Sequence, residues 1–298
     1  MSIFSALNNL KDISLMPEFE AICGISKDEL FTQLKDGLQD FADKNGVSLE
    51  HTARMFKKKY DGYHFSKEKQ DIFNPYSVVN ALNDRSLKEY WFDSGTPSSL
   101  LKLINKFDLK MEDFENTECR ASRFNQPVEK VTDLVPFLFQ SGYLTIKDYK
   151  SFITDSDIME TYTLGYPNGE VRTALADSLF RNYYKVNDSI ALRTAYMDFM
   201  QNDDIDVFIE HLKIFFDGFP FSMNNEKENE LHYHSILYTV LTSFGADISA
   251  NQETALGKAD LVLKMPKTIY VIEIKYNRST DVAMKQMKNR RDAKAHLD

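Results

Sequence analysis

Two short β-rich runs near the C-terminus constrain this chain more than any other stretch. They are Gly257-Lys258-Ala259-Asp260-Leu261-Val262-Leu263 and Thr268-Ile269-Tyr270-Val271-Ile272-Glu273-Ile274-Lys275, separated by Met265-Pro266-Lys267. Such runs around a proline-containing turn predict a β-hairpin. If Lys264 and Ile269 close the loop as a pair, Asp260 sits directly opposite Glu273. Side chains alternate along a strand, so Glu273 and Lys275 share a face with Asp260, while Ile272 and Ile274 point to the other. Two carboxylates facing each other across a ladder repel, by a few tenths to about 1 kcal/mol. Something positive is expected between them. A hard divalent cation fits, because Mg²⁺ is typically held by one or two carboxylates with water. Lys275 adds a fixed cation beside it and, without metal, is expected to bend inward and neutralise the pair.

A fourth acid lies upstream, in an apolar-periodic run from Asn229 to Phe244 that Gly245 ends as a helix C-cap. Tyr233, Leu237, Leu241 and Phe244 form the expected inward stripe. Glu230 lies one turn before Tyr233 on that stripe, and an acid on a buried face needs a partner.

A helix bearing Glu230, then Gly257-Lys258-Ala259-Asp260, then Glu273-Ile274-Lys275 at the end of an apolar strand, then a helix carrying Gln286, resembles the PD-(D/E)XK nuclease superfamily. More narrowly, the series is similar to the nuclease domain that follows an AAA-ATPase-like domain in a large group of bacterial proteins. The resemblance implies a metal-dependent hydrolase of phosphodiester bonds. Asp260 and Glu273 would be ligands of Mg²⁺ or Mn²⁺, with the carbonyl of Ile274 a further one. Lys275 would orient the attacking water or stabilise transition-state charge, Glu230 would be an accessory acid, and Gln286 a positioning residue. Taken singly, each residue has a plainer explanation: a turn aspartate after Gly257, a solvated strand face, a helix-start acid favoured by the macrodipole. Their combination on matching elements favours the site.

Composition narrows the classes. The chain has 298 residues, 43% hydrophobic and 27% charged, enough to bury a sizeable core and to make two domains. No apolar run approaches the roughly 18 residues of a membrane span. The N-terminus lacks the basic and apolar regions of a signal peptide, so a cytoplasmic protein without membrane partners is expected. Cys23 and Cys119 are too few for a disulfide framework or a zinc site. His232 and His234 lie about 200° apart around a helix and cannot converge on one metal. The net charge is -9, yet residues 257–298 carry ten Lys or Arg against five Asp or Glu, a local balance of +5. A basic lobe on an acidic body suits a nucleic-acid substrate, DNA above all, that meets that lobe only. The other explanation is a solvated amphipathic helix from Thr280 onward.

Earlier in the chain, Ser26 and Glu29 form a capping box for a helix with Leu30, Leu34, Leu38 and Phe41 on one face, ended by Gly46. Ser48 can cap the next helix, toward Lys59. Tyr60-Asp61-Gly62-Tyr63, then Asn74-Pro75-Tyr76-Ser77, then Tyr90-Trp91 follow in the order seen in the C-terminal part of the same AAA-ATPase-like domain, which the chain resembles here. No phosphate-cradling loop accompanies them: the pair Gly257-Lys258 has Gln252 where the first glycine should be and Ala259 after it. No nucleotide triphosphate site and no ATPase activity are expected. A helix from Thr132 to Phe139, strands at Gly142 to Lys147 and Glu160 to Leu164, and a helix from Glu170 to Tyr184 suggest either a small winged module or a connector. Helices near Asp188 to Met200 and Asp204 to Phe216 follow, and Pro220 with the polar run 224–229 marks a boundary.

The expected class is α+β. Residues 1–105 form a helical remnant of the ATPase-like domain, 106–220 a connector with helices and a β-hairpin, and 221–298 a shortened nuclease-like domain with a restriction-endonuclease-like mixed sheet flanked by helices. Asn289-Arg290-Arg291-Asp292 stands where a tyrosine is expected after Gln286, and the chain stops before a further strand. A decayed nuclease fold, acting as a binding or regulatory protein through its acidic N-terminal half, is therefore the alternative to an active enzyme, as is a truncated fragment.

Overall fold

Capping and apolar spacing decide the helices of the N-terminal part. The computed structural model of the chain describes residues 11–95, 100, 102–104, 109–120, 123–124, 134–182, 190–218, 230–254, 257–276 and 278–290. It divides into two units, Met1–Ala174 and Leu175–Asp298. The boundary loop around Pro220 and 224–229 lies outside the described residues.

In the first unit, helix α1 (Lys27–Thr32) starts at the expected capping box: the Ser26 hydroxyl accepts from the Glu29 N–H, and the Ser26 N–H donates to the Glu29 carboxylate at 2.8 Å. The single helix expected up to Gly46 is broken in two. The Thr32 hydroxyl turns back onto the Asp28 carbonyl at 2.6 Å, and Leu34, at φ −110° and ψ 14°, leaves helical geometry before α2 (Lys35–Asn45) begins. Gly46 ends α2 at φ 66°, the left-handed conformation in which a side chain is costly. Ser48 caps α3 (Leu49–Tyr60), and Asn74 with Pro75 opens α4 (Pro75–Asp84), before α5 (Tyr90–Gly95). Leu30, Leu38, Phe41, Phe56, Tyr60, Phe73 and Val78 fuse these helices into one core. Strands β1 (Ile25–Ser26) and β2 (Ile72–Phe73) form a two-stranded antiparallel pair.

A short helix α6 (Val135–Gln140) leads into the second sheet of this unit. The expected hairpin of β4 (Thr145–Ile153) and β5 (Ile158–Gly165) is joined by an unforeseen strand, β3 (Thr117–Arg120), in the antiparallel order β3-β5-β4. Helix α7 (Gly169–Asn182) follows, and the division between the units falls within it.

In the second unit, α8 (Ile190–Asn202) and α9 (Ile205–Asp217) form a helical hairpin joined by rings such as Phe199 and Phe208, stacked at 5.5 Å. Helix α10 (Glu230–Ser243) then ends in a Schellman motif: the Ala246 N–H donates to the Leu241 carbonyl at 3.0 Å and the Gly245 N–H to that of Thr242 at 2.9 Å, with Gly245 at φ 81°. Strands β6 (Asp247–Thr254), β7 (Gly257–Lys264) and β8 (Ile269–Ile272) make an antiparallel sheet in that order, on which α10 and α11 (Thr280–Arg290) pack. The β7–β8 ladder runs from Lys264 opposite Ile269 to Leu261 opposite Ile272, the register read from the sequence. Asp203, at the α8–α9 corner, accepts from the Thr268 hydroxyl at 2.9 Å and the Tyr270 hydroxyl at 3.0 Å and so pins the start of β8. The fold is α+β, with a mostly helical first half and a C-terminal sheet flanked by helices. The pairing in that sheet is antiparallel throughout the described strands.

Two expectations change here. Helix α10 does not present one apolar stripe, because every residue from His234 to Ser243 is buried. Two of its hydroxyls bond within the helix, Ser235 to the Leu231 carbonyl at 3.0 Å and Ser243 to that of Val240 at 2.7 Å, while the Thr242 hydroxyl is buried without a hydrogen-bond partner among the described residues. The second strand ends at Ile272 instead of Lys275, since a side chain takes over the next main-chain bond, as described below.

Candidate active site

The Asp260 carboxylate accepts the main-chain N–H of Ile274 at 3.0 Å. That N–H lies one residue past Glu273, so the ladder gives way to a side-chain bond and the segment Glu273-Ile274-Lys275 leaves the strand tied to β7. Continuing the ladder one step beyond Leu261 and Ile272 brings Asp260 level with Glu273. The aspartate and the Glu-x-Lys segment are thus held together by β-sheet register and by a direct bond.

Lys275 turns inward onto Glu273 as expected, but its second carboxylate partner is Glu230 and not Asp260, whose Oδ2 takes the Ile274 N–H. Its ammonium lies 2.7 Å from Glu273 Oε1 and 3.1 Å from Glu230 Oε2, and donates to the Ile274 carbonyl at 3.0 Å. The Glu273 side chain is only 2% exposed and that of Lys275 10%, whereas Glu230, at the first turn of α10, is 43% exposed. Burial alone pulls the Lys275 amine down, but the bonds to Glu273 and Glu230 and the nearby charge of Asp260 outweigh it and leave the amine above its ordinary value. The ammonium stays charged at neutral pH.

One participant escaped the sequence reading. His234, one turn after Glu230 on α10 and buried, places Nε2 2.9 Å from the main-chain carbonyl of Asp260. A carbonyl only accepts, so Nε2 carries the proton there. The signal was present in the i, i+4 spacing of Glu230 and His234, which sets both on one helix face. Tyr233 and Tyr276 stack at 5.6 Å and 19°, covering the flank between α10 and the residue after Lys275. Gln286 lies on α11, and its side chain is outside the described residues.

Among the described residues no cluster of three or more His, Cys, Asp or Glu gathers as a metal-binding set. The groups at hand are the Asp260 and Glu273 carboxylates and the Ile274 carbonyl, with Glu230 a further partner of the ammonium. This all-oxygen set suits a hard cation, which needs one or two carboxylates and fills its other positions with water. The lysine ammonium, already held by three of these oxygens, marks where positive charge is accepted.

Residues 228–297 match the family model of the PD-(D/E)XK nuclease superfamily. The whole chain is similar to a protein of Azotobacter chroococcum mcd 1 described as "Uncharacterized protein in vnfD 5'region", 27% identical over 304 residues. That alignment covers 97% of the chain and 54% of the relative, so the chain spans about half the length of the curated protein it matches. No solved structure matches the chain. Among the described residues, no helix is long and apolar enough to cross a membrane.

Proposed function

We propose that the second unit hydrolyses phosphodiester bonds of nucleic acid, DNA above all, with Mg²⁺ or Mn²⁺, in the cytoplasm. Residues 221–298 are its catalytic lobe. The observation that carries this is the bond from Asp260 to the Ile274 N–H, which joins the two halves of the motif while Glu273 and Lys275 meet at 2.7 Å. The family match over 228–297 supports it.

Asp260 and Glu273, with the Ile274 carbonyl, would hold the cation. Bound there, it would supply a water of lowered pKa and neutralise phosphate charge. Lys275 orients the attacking water and balances charge as its oxygen bonds to phosphorus. The attacking water gives up a proton to bulk solvent, the opposite P–O bond breaks, and the leaving oxygen takes up a proton from solvent. Glu230 acts as an accessory acid that holds the lysine, and Gln286 positions the substrate or the water. His234 fixes the main chain at Asp260. The surplus of Lys and Arg over Asp and Glu in residues 257–298 favours a polyanionic substrate.

The test is cleavage of plasmid DNA with Mg²⁺ or Mn²⁺. Glu273→Ala is expected to lower the rate by about 100-fold or more, the scale of losing an electrostatic stabiliser in a dry site. Equal trace rates for this variant and the wild type would overturn the proposal.

A further inference from the structure

The three oxygens around the Lys275 ammonium come from three residues, and an ammonium has three N–H groups to give. Its hydrogen bonding is therefore complete without water or metal. Two of these acceptors, Glu273 and the Ile274 carbonyl, are those assigned above to the cation. The third, Glu230, sits on a different element and is far more exposed. Asp260, Glu273 and Glu230 against Lys275 leave a formal charge of -2, the charge that one divalent ion balances.

We infer that Lys275 is a built-in counter-ion, which an entering divalent cation displaces from Glu273 and Ile274, and that Glu230 is the seat that keeps the displaced ammonium at the rim of the site. The inference rests on the proposed metal-dependent reading. Two cations cannot share the Glu273 oxygen without strong repulsion in so buried a place. The lysine stem is flexible, so its head can move while its base stays fixed. Glu230 can follow it, because it is half in solvent. The arrangement holds the buried carboxylate neutralised when the site is empty and leaves the lysine beside the cation when it is full.

Mn²⁺ binding to the whole chain, read by electron paramagnetic resonance of the free ion at fixed pH, tests this. Lys275→Met is expected to bind Mn²⁺ about tenfold more tightly than the wild type, a change of about 1.4 kcal/mol. Lys264→Met removes an exposed lysine of the same hairpin and should change affinity less than about twofold, since exposed charges are screened. Glu230→Gln should weaken binding several-fold in the wild type, because the ammonium then has nowhere to go but Glu273. In the Lys275→Met background the same change should have little effect. An equal Glu230→Gln loss in both backgrounds would make Glu230 a ligand and overturn its role as a seat. Mn²⁺ binding that Asp260→Asn abolishes but Lys275→Met does not tighten would overturn the displacement and leave the metal site standing. No binding by either the wild type or Lys275→Met would overturn both.

Discussion

Glu170 in the first unit and Glu273 in the second are both carboxylates withdrawn from water, and the two units hold them by opposite means. Glu170, fully buried in the first turn of α7, has the single Ser77 hydroxyl 2.9 and 2.7 Å from its two oxygens and the Trp91 N–H at 2.8 Å. These donors are neutral. Burial pushes the Glu170 carboxyl up to about 7, against the bonds from Ser77 and Trp91 that pull it down. Glu273, just as enclosed, faces an ammonium at 2.7 Å. A neutral clamp tolerates both protonation states and ties α4, α5 and α7 together, which suits a structural acid. A charged partner that can move aside leaves behind an anionic pocket, and that suits chemistry on a cation.

The comparison breaks most sharply at Ser77. Ser77→Ala removes the hydroxyl and leaves Glu170 buried with the Trp91 N–H. The expected loss is about 2 to 3 kcal/mol at pH 8, where the acid is charged, since an under-bonded buried charge bears its desolvation cost. Urea unfolding of both proteins gives the number. Mn²⁺ affinity should not move. A loss below about 0.5 kcal/mol, the level of an ordinary surface change, would mean that Ser77 does not hold the acid.

Glu170→Gln sharpens the same comparison through pH. A carboxyl whose folded value is near 7, against 4.5 for the free group, keeps a proton in the folded state that the unfolded chain has lost. Folding stability therefore falls as pH rises through that window and is flat, for this group, outside it. Between pH 4.5 and 7 the wild type should lose on the order of 2 kcal/mol relative to Glu170→Gln. Denaturant midpoints at several pH values measure the difference. Parallel pH curves for the two proteins would show that burial does not perturb Glu170.

The sequence made the hairpin legible because its register follows from counting: one loop pair, Lys264 with Ile269, sets every other. Local caps were equally legible, as Ser26 with Glu29 and Asn74 with Pro75 are contacts within one helical turn. What stayed hidden depends on distant partners. Strand β6 alternates only briefly, with Ile248 and Ala250 between Asp247, Ser249 and Asn251, before the polar run Asn251-Gln252-Glu253-Thr254, and its full length comes from the long ladder with β7. The all-round burial of α10 was masked by Ser235, Thr239, Thr242 and Ser243, residue types that suggest a wet face until Ser235 and Ser243 are seen bonding to their own helix. The early end of β8 needed a side chain fourteen residues away, Asp260, to take the Ile274 N–H. His234 stayed out of the candidate site because its partner is a main-chain oxygen, and its i, i+4 spacing from Glu230 shows only that the two share a helix face.

The smallest expected effect separates a backbone device from the charge devices. Gly245 ends α10, the helix that carries Glu230 and His234, and does so at φ 81° with nothing within 4 Å of where a side chain would start. Gly245→Ala therefore meets no steric wall, and its cost is the left-handed conformation alone, about 1 kcal/mol. The Schellman bonds from Ala246 to Leu241 and from Gly245 to Thr242 are main-chain bonds and survive the change. Glu230 and His234 sit in the first two turns, three turns or more from the cap, so the site should keep its geometry. A lower urea midpoint with unchanged Mn²⁺ affinity is the expected outcome. A change of more than about threefold in affinity with stability intact would place the end of α10 in communication with Lys275, against the distance over which a terminal turn ordinarily acts.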